Sequence, residues 1–502
     1  MAKLVVLVQL FMLFSKAEGT SFSSYMTKNE EPLFINGPRS LSDRIAIVGA
    51  GASGIHMATM LKNEGFTNIV IYEKNDRIGG KSMTIRDAEG TVQELGSCCI
   101  GPGYENNIMK IIEEYAPGEL VPRQFGDVWL DGAANATSYG HYVVKETMKY
   151  FNTNSVKEAL FKLFQKIDEY VSLHKSLFPM YEFELMPRPK PEVMRNLKCT
   201  FLQFLERHDL RGLLPLLLVS HTLQGYGYLD EISAVYGLIW NTPFLMQSFK
   251  EIMSGDTTPR TFMLRTGFQH LWEKVAKVNA LNIRLNSNIQ TIKRSRYGVQ
   301  VCDAEACYSH DFLIWSGEAT RSLRVLDKPT KLEINLFFKL SPDYLVSSLV
   351  GLKGGKESST ATGYWFDNII KKRSVSVLAS RNTKRVFELG GVYPLQQSSV
   401  SGSRFELAYQ YSPTRPCKPH EKALLHFYET GATEAKIARQ VVWRYFPHFS
   451  VEEAAAGSLW DILEMQGKSR TWFIGSSVSF ESLKSVVEYN KLLISIMRPL
   501  EE

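Results

Sequence analysis

Three glycines and one acid carry the first chemistry that the chain offers. Gly49, Gly51 and Gly54 fit the spacing G-x-G-x-x-G, and Ser53 lies within that turn. Gly49 permits a tight turn, Gly51 lets the backbone approach a pyrophosphate, and Gly54 lets a following helix pack closely. Glu73 follows at about the 20-residue spacing expected of an acid that accepts hydrogen bonds from a ribose. These residues predict a dinucleotide site.

The segments around this motif must bring the glycines and the acid together. Ile45-Ala46-Ile47-Val48 is a short apolar run that is typical of a strand buried on both faces. Residues 55 to 61 show apolar positions at helical spacing, and residues 68 to 72 are typical of a second strand that ends at Glu73. Strand, glycine turn, helix, strand and acid in this order predict a βαβ unit.

The residues after Glu73 indicate which dinucleotide is bound. The segment from Glu73 to Lys81, EKNDRIGGK, resembles the E-x-x-x-R-x-G-G-R segment of the flavin-containing amine oxidase superfamily. Lys81 stands where the family has arginine, so it keeps the charge but loses the planar fork that makes bidentate contacts. The resemblance implies FAD rather than NAD, with contacts from Glu73, Lys74, Arg77, Gly79, Gly80 and Lys81.

Further segments resemble the same superfamily. Glu94-Leu95-Gly96-Ser97 matches the family segment that passes near the flavin, and Gly96 permits close backbone approach. The order of glycine, helix and strand after Arg265 implies that Ile289 packs on the adenine. Thr471 to Gly475 resembles the late strand and glycine that lead into a helix closing over FAD. The resemblance therefore assigns further cofactor contacts to Leu95, Gly96, Ile289, Gly475 and Phe480.

These matches predict an α/β fold with a Rossmann-like FAD-binding domain assembled from distant segments. A helical insertion is expected between them, because apolar residues from Val156 to Val171 recur at steps of three and four. An antiparallel-sheet substrate domain is expected to follow. The expected segments are 43-145, 256-325 and 421-498 for the FAD-binding domain, 146-255 for the helical insertion and 326-420 for the antiparallel sheet.

The antiparallel-sheet prediction depends on four β-like runs. They are Leu332 to Leu340, Ser374 to Ala379, Val386 to Val392 and Phe405 to Tyr411. Glu421 to Tyr445 is predicted to be helical. Amine-oxidising relatives often hold a lysine through water near the flavin, and Lys339 is the candidate here, although a solvated strand lysine is the simpler interpretation. No catalytic residue is assigned.

Composition and cysteine spacing exclude several functions. A chain of 502 residues allows two to three domains, and its formal charge of +6 is mild and unclustered, so no nucleic-acid partner is predicted. The cysteines lack metal-ligand spacing, so no metal site is predicted, and none lies at the late glycine, so FAD is expected to be noncovalent. Cys302 and Cys307 flank a predicted hairpin turn, where either a disulfide or two free thiols fit the pattern. Buried thiols are the simplest interpretation of Cys98, Cys99, Cys199 and Cys417.

The N-terminus has the three-part shape of a secretory signal peptide. Lys3 precedes an apolar run from Leu4 to Phe14, and Ala17-Glu18-Gly19 offers small residues for cleavage. The run is shorter than the ~20 residues of a membrane span, so a signal peptide at 1-19 is preferred over a retained anchor. Asn135-Ala136-Thr137 is an N-glycosylation acceptor. We expect a protein that is secreted or in the secretory-pathway lumen, without a membrane span.

The resemblance implies an FAD-dependent oxidoreductase that takes a hydride from a small apolar substrate, such as a fatty acid or an amine, with oxygen as acceptor. Gln466-Gly467, Gly475, Phe480-Glu481 and Gly225-Tyr226-Gly227 most resemble the branch that includes polyenoic fatty acid isomerases and β-cyclopiazonate dehydrogenase. This implies an alternative, a redox-neutral isomerase of polyunsaturated fatty acids. A non-catalytic flavin-binding protein is a further alternative, and the intact glycine motif argues against it. The aromatic residues after Gly225 fit a helix-packing core, an apolar substrate tunnel, or both.

Overall fold

The computed structural model describes residues 37–38, 40–130, 136–179, 181, 186–394 and 403–497. The predicted signal peptide at 1-19 and the predicted glycan acceptor Asn135 lie outside the described residues. Within the described ranges, no helix combines the length and the apolar character needed to cross a membrane.

A five-stranded parallel sheet is assembled from distant parts of the chain. Ile45–Val48 lies at its centre, between Ile69–Tyr72 and Phe312–Trp315. Thr471–Phe473 pairs with Phe312–Trp315 at one edge, and Ile283–Arg284 pairs with Ile69–Tyr72 at the other. The central strand is apolar along its length because helices cover both faces of such a sheet. The predicted α/β class and the assembly from distant segments are confirmed.

The helix Ala52–Asn63 follows the first strand and holds the late part of the chain in place. It packs against Leu483–Met497 and Phe268–Val278. Asn490 Nδ2 donates a hydrogen bond of 2.8 Å to the Ser53 carbonyl, so the last described helix is tied to the first turn of this one. The glycine motif and the C-terminal helix therefore form one unit.

A second, seven-stranded sheet contains the predicted antiparallel strands and more. Its order is Ala432–His448, Ser341–Gly354, Ser403–Ser412, Val377–Arg381, Thr362–Trp365, Asp127–Trp129 and Thr137–Ser138. All neighbours are antiparallel except Thr362–Trp365 and Asp127–Trp129, which are parallel. The sheet therefore draws strands from both sides of the segment 326-420 to which we assigned it.

Two of the four predicted β-like runs are helices. The run from Leu332 to Leu340 was assigned wrongly, because Thr330 and Glu333 form a capping box that starts the helix Lys331–Phe337. The run from Val386 to Val392 was also wrong, because Asn382 caps the helix Thr383–Leu389. The runs from Ser374 and Phe405 do contain strands, as the seven-stranded sheet shows.

The predicted helix from Glu421 to Tyr445 is wrong in its second half. A helix spans Pro419–Glu429, the chain turns at Gly431, and the strand Ala432–His448 follows. This strand is rich in Ala, Arg, Lys and Gln, which favour helices in isolation. Pairing along the whole of Ser341–Gly354 overrides that local preference.

The helical insertion forms largely as predicted. Its helices are Tyr139–Tyr150, Val156–Leu177, Pro191–Asn196, Phe201–Arg207, Leu214–Ser220, Ala234–Trp240 and Pro243–Met253, with 3-10 turns at Arg211–Leu213 and Thr222–Gln224. The other helices are Ile108–Tyr115, Ala319–Val325, Phe366–Ile370, Val451–Ala456 and Ser458–Met465. Two small antiparallel pairs complete the fold: Thr84–Arg86 with Val92–Glu94, and Leu120–Pro122 with Phe262–Leu264 from a distant part of the chain.

A three-stranded sheet resolves the open question about Cys302 and Cys307. Its strands are Thr291–Ser295, Gly298–Cys302 and Cys307–His310. The two cysteines lie directly opposite one another across the hairpin and form a disulfide. Cys199 is buried as expected, whereas Cys417 is exposed, so the prediction of a buried thiol was wrong there.

Two helical glycines give a matched test of packing in the insertion. A Cβ atom on Gly237 would lie 2.2 Å from the Phe201 ring, whereas one on Gly140 would meet nothing within 4 Å. We expect Gly237→Ala to lower the free energy of unfolding by about 1–3 kcal/mol through overpacking. Gly140→Ala should leave it unchanged or raise it by up to about 1 kcal/mol. Urea unfolding followed by circular dichroism measures both, and equal stabilities would contradict the tight helix contact.

Candidate functional site

A cavity of about 1290 Å³ lies where the two large sheets and the helical insertion meet. The parallel sheet contributes its strand ends, the seven-stranded sheet contributes Tyr364, Arg381 and Tyr409, and the insertion contributes Tyr226 and Trp240. The volume exceeds the 300–1,000 Å³ that is usual for a small-molecule pocket. It is large enough for a dinucleotide together with a second molecule.

One end of the cavity has the form of a phosphate cradle. Three parallel strands end there and continue into Gly49, Ser316 and Gly475, of which Gly49 (φ +113°) and Gly475 (φ +93°) adopt backbone conformations that favour glycine. The helix Ala52–Asn63 begins at the same point, and no side chain caps its N-terminus. Its free N–H groups and its dipole therefore favour a negatively charged group.

Glycine is required here by close backbone contacts. A Cβ atom on Gly54 would lie 2.0 Å from the Gly49 carbonyl oxygen, and one on Gly80 would lie 2.9 Å from the Gly51 Cα atom. A Cβ atom on Gly96 would lie 1.6 Å from the Lys81 carbonyl oxygen. The glycine turn, the double glycine and the Leu95-Gly96 segment are thus packed backbone against backbone.

Glu73 is held in the wall of the cavity with 5% of its surface exposed. Its Oε2 accepts a hydrogen bond of 2.9 Å from the Ala50 N–H, and its Oε1 accepts one of 2.9 Å from the Asn75 N–H. Asn75 Nδ2 also donates to Oε1 at 2.5 Å, so one of the roughly four acceptor positions of the carboxylate, on Oε2, remains for a hydroxyl donor. This is the arrangement expected of a ribose-binding acid.

Two basic residues after Glu73 have structural partners. Arg77 donates from Nη2 to the Gly80 carbonyl at 2.8 Å and from Nη1 to the Ile78 carbonyl at 3.1 Å, so it holds the double-glycine turn. Lys81 Nζ pairs with Glu481 at 2.5 Å and lies 5.4 Å from the centre of the Tyr445 ring. Lys81 therefore joins the double-glycine segment to the late segment of the chain.

The cavity brings most of the predicted cofactor residues together. Those that line it are Gly49, Gly51, Ser53, Glu73, Lys74, Arg77, Gly79, Gly80, Lys81, Gly96, Ile289 and Gly475. Gly54, Leu95 and Phe480 lie behind the wall instead. The Leu95 carbonyl accepts a 2.6 Å hydrogen bond from Trp443 Nε1, and Phe480 stacks on Trp240 with ring centres 5.6 Å apart. Direct contact of each residue with FAD stays a prediction.

Lys339 does not reach the cavity, so our candidate for a flavin-proximal lysine was wrong. It follows the helix Lys331–Phe337 rather than lying on a strand, and it is not among the residues that line the cavity. Its Nζ forms an ion pair of 2.8 Å with Glu453, and 45% of its side chain is exposed. This is an ordinary surface ion pair.

The aromatic residues of the insertion serve both as core and as cavity wall. Tyr226 is buried, lines the cavity and packs edge-on against Trp240 with ring centres 5.0 Å apart. The apolar part of the wall is continued by Phe125, Val219, Leu223, Leu245, Phe249 and Ile252. The core interpretation is therefore confirmed for Tyr226, and Tyr226 and Trp240 line the cavity, whereas their use as a substrate tunnel stays a prediction.

Two arginines at the other end of the cavity escaped the sequence analysis. Arg381 has 2% of its surface exposed, and its Nη2 donates to the Tyr409 hydroxyl at 2.5 Å. Arg123 donates from Nη2 to the Tyr364 hydroxyl at 3.4 Å, and its buried Nε has no hydrogen-bond partner. Neither guanidinium forms an ion pair with a carboxylate of the described residues. A buried charge without a counter-ion is costly, which favours an anionic ligand here.

The arrangement is suited to two molecules at once. The phosphate cradle and Glu73 can hold a dinucleotide, while the aromatic wall and the two arginines can hold an apolar molecule with an acidic group. Burial raises the pKa of the Tyr409 hydroxyl well above its ordinary value, so it remains a neutral hydrogen-bond donor at physiological pH. Among the described residues, no cluster of three or more His, Cys, Asp or Glu side chains could hold a metal ion.

The chain is similar in sequence to a protein family and to individual known proteins. The family model "Flavin containing amine oxidoreductase" matches residues 52–322. A polyenoic fatty acid isomerase of Ptilota filicina is 24% identical over 272 residues, 51% of each chain, and human flavin-containing amine oxidase B is 34% identical over 70 residues, 14% of this chain and 13% of the oxidase. The matched region spans about half the length of the isomerase and less of the oxidase.

Solved structures show the same fold over nearly the whole chain. The CLA-producing fatty acid isomerase from P. acnes superimposes with a TM-score of 0.74 at 21% identity, covering 91% of this chain and 99% of that one. Putrescine oxidase with bound putrescine superimposes with a TM-score of 0.60 at 16% identity and the same coverage. At these identities the likeness concerns the fold.

Glu73 gives a direct test of the cofactor end. Glu73→Gln keeps the side-chain shape but removes the charge that strengthens hydrogen bonds to a ribose, a loss of roughly 1.5–3 kcal/mol. We expect FAD affinity to fall by roughly 10- to 150-fold. Titration of apoprotein with FAD, followed by flavin fluorescence, measures the change. Glu113→Gln, an exposed helix position, is the matched control, and equal affinities in both variants would contradict the ribose role.

Proposed function

The chain belongs to the flavin-containing amine oxidoreductase family, and from that premise we propose that it is an FAD-dependent isomerase of polyunsaturated fatty acids. Family membership implies FAD as the cofactor. The observation that carries the proposal is the pair of arginines, the half-buried Arg123 and the buried Arg381, that line the same cavity as the phosphate cradle and the aromatic wall.

The residues of the cradle fit FAD. The uncapped N-terminus of the helix Ala52–Asn63 suits the pyrophosphate, and Glu73 suits the ribose. Ser316 adds a buried Oγ on the cavity wall that has no hydrogen-bond partner among the described residues. When bound, FAD supplies acceptance and return of a hydride.

The arginine end suits a carboxylate. A guanidinium presents parallel N–H donors that match a carboxylate, and the Tyr364 and Tyr409 hydroxyls lie beside the two arginines. The wall that includes Phe125, Tyr226 and Phe249 is apolar and aromatic, so it can bury a hydrocarbon chain. The chain's own contribution is therefore to anchor the head group, orient the double bonds and exclude water.

The charge of this end argues against a protonated amine as substrate. Two guanidinium groups without carboxylate partners among the described residues would repel an ammonium group in a cavity of low dielectric. The names of two similar proteins, from Ptilota filicina and P. acnes, support the fatty acid class. A redox-neutral shift of double bonds also fits a site for which no general base is assigned.

An oxygen-dependent oxidase of an apolar acid is the second candidate, since family relatives include amine oxidase B and putrescine oxidase. An amino acid carries a carboxylate that the arginines could hold. The two candidates differ in the fate of the hydride, which is returned to the substrate in one and passed to oxygen in the other.

Anaerobic turnover distinguishes the two candidates. We expect purified holoprotein mixed with linoleate to produce conjugated-diene absorbance without oxygen, because the hydride is returned to the substrate. Linoleate with apoprotein is the control. If conjugation fails to appear, and hydrogen peroxide forms only in air with an amino acid, the oxidase candidate replaces the isomerase.

The arginines are tested by separating head-group binding from chemistry. We expect Arg123→Gln and Arg381→Gln each to raise KM for linoleate by roughly 10- to 100-fold, the effect of losing a charged hydrogen bond. KM for methyl linoleate, which has no carboxylate, should hardly change. Arg195→Gln, on an exposed side chain, is the control. Equal effects on acid and ester would contradict the carboxylate anchor, and flavin content verifies folding.

A further inference from the structure

Two consecutive cysteines line the cavity between the flavin-side segment and the arginines. Cys98 and Cys99 follow Gly96-Ser97, and both face the same cavity as Arg123 and Arg381. Their sulfur atoms are 3.5 Å apart, so the structure has them as a pair of thiols in hydrogen-bond contact. The expected burial of both thiols was wrong, because both are partly exposed and line the cavity.

The arginines contact this thiol pair. Arg123 Nη1 lies 3.4 Å from Cys99 Sγ, and Arg381 lies beside Cys98. The hydrogen bond from Cys99, together with the guanidinium groups of Arg381 and Arg123, holds the pKa of the Cys98 thiol well below its ordinary value. A thiolate is the reactive form of cysteine. Cys98 is thus the more acidic thiol of a pair that lies against both arginines, and as a thiolate it would offer them a counter-charge.

We propose that Cys98 and Cys99 are a redox-active vicinal pair, that small disulfides oxidise it, and that its oxidation strengthens anion binding by Arg123 and Arg381. The anion site is the one invoked in the proposed function, so this second part rests on that proposal. The proposed oxidation of the thiol pair does not depend on the proposed function.

The oxidation balances with a low-molecular-weight disulfide as the oxidant. The Cys98 thiolate attacks one sulfur of the small disulfide, which forms a mixed disulfide and releases one small thiolate. Cys99, after losing its proton to water, attacks Cys98 Sγ and displaces the second small thiolate. The pair thus loses two electrons and the Cys99 proton as the Cys98–Cys99 bond forms, and the small disulfide takes up the two electrons and leaves as two thiolates, which are protonated by water.

The bond between neighbours is suited to a reversible switch. Consecutive Cα atoms are about 3.8 Å apart across a trans peptide, which is below the usual span of about 4.4–6.8 Å between bridged cysteines. Bridges outside that span are more easily reduced, and such bridges are typically regulatory or catalytic.

Oxidation changes the electrostatics of the anion site. A disulfide carries no charge, so the oxidised pair no longer neutralises Arg123 and Arg381 and no longer competes with an incoming carboxylate. In the reduced state a carboxylate must enter beside the thiolate, and like charges at short range in a partly desolvated cavity repel strongly. We expect a carboxylate to bind roughly 5- to 50-fold more tightly after oxidation.

The redox reaction is tested on holoprotein carrying Cys417→Ser, which removes an exposed thiol. Bis(2-hydroxyethyl) disulfide, a small neutral oxidant, is added and the protein is then denatured and alkylated. We expect a Cys98–Cys99 disulfide by peptide mass mapping, with Cys199 alkylated, and reversal by dithiothreitol. Cys98→Ser and Cys99→Ser should each prevent the bridge. Alkylation of both cysteines after oxidation, or only a stable mixed disulfide, would overturn the proposal.

The coupling is tested by calorimetric titration with benzoate, a small carboxylate that does not depend on the fatty acid assignment. Benzoate should bind more tightly to oxidised than to reduced holoprotein, and the oxidant should have no effect in Cys98→Ser, which lacks the attacking thiolate. Equal affinities in both redox states, with the bridge formed, would overturn the coupling. If benzoate responds but linoleate binds in neither state, the inference stands and the proposed substrate fails.

Discussion

The close packing of backbones at the carboxyl edge of the parallel sheet is the constraint on which the rest of the molecule depends. A Cβ atom on Gly54 would collide with the Gly49 carbonyl oxygen, and one on Gly80 would lie too close to the Gly51 Cα atom. This contact clears the N-terminus of the helix Ala52–Asn63 for a ligand. Late in the chain, Glu481 forms an ion pair with Lys81. This pair joins the late segment to the double-glycine segment.

Features encoded by short motifs were predictable from the sequence, and features set by long-range pairing were not. The motif fixes the spacing of Gly49 to Gly54 and of Glu73. The sequence therefore predicted that they directly follow two strands of the parallel sheet. The strand Ala432–His448 has residues that favour helix, and only its partner Ser341–Gly354 makes it extended. The capping box at Thr330 was a readable local signal that was overlooked.

The two parts of the candidate site also differ in whether a short motif encodes them. Its cofactor end is built from residues near the glycine motifs, which a family pattern can identify. In its acidic-ligand part, Arg123 contacts Tyr364 and Arg381 contacts Tyr409 on another strand, and neither arginine belongs to a motif. Both line the cavity without a carboxylate partner among the described residues, and Arg381 is buried; these features appear only after folding.

Charge at this second end is the feature that can separate chemistries on a shared flavin fold. The cofactor supplies the same hydride chemistry to every family member, so selectivity must come from what the cavity stabilises. A carboxylate satisfies both guanidinium groups, whereas an ammonium leaves them unpaired and adds repulsion. The neighbouring thiols Cys98 and Cys99 affect the same two guanidinium groups, because a thiolate would offer them negative charge as a substrate carboxylate would. Anion binding by Arg123 and Arg381 is therefore expected to depend on the redox state of the thiol pair, because both change the net charge beside the guanidinium groups.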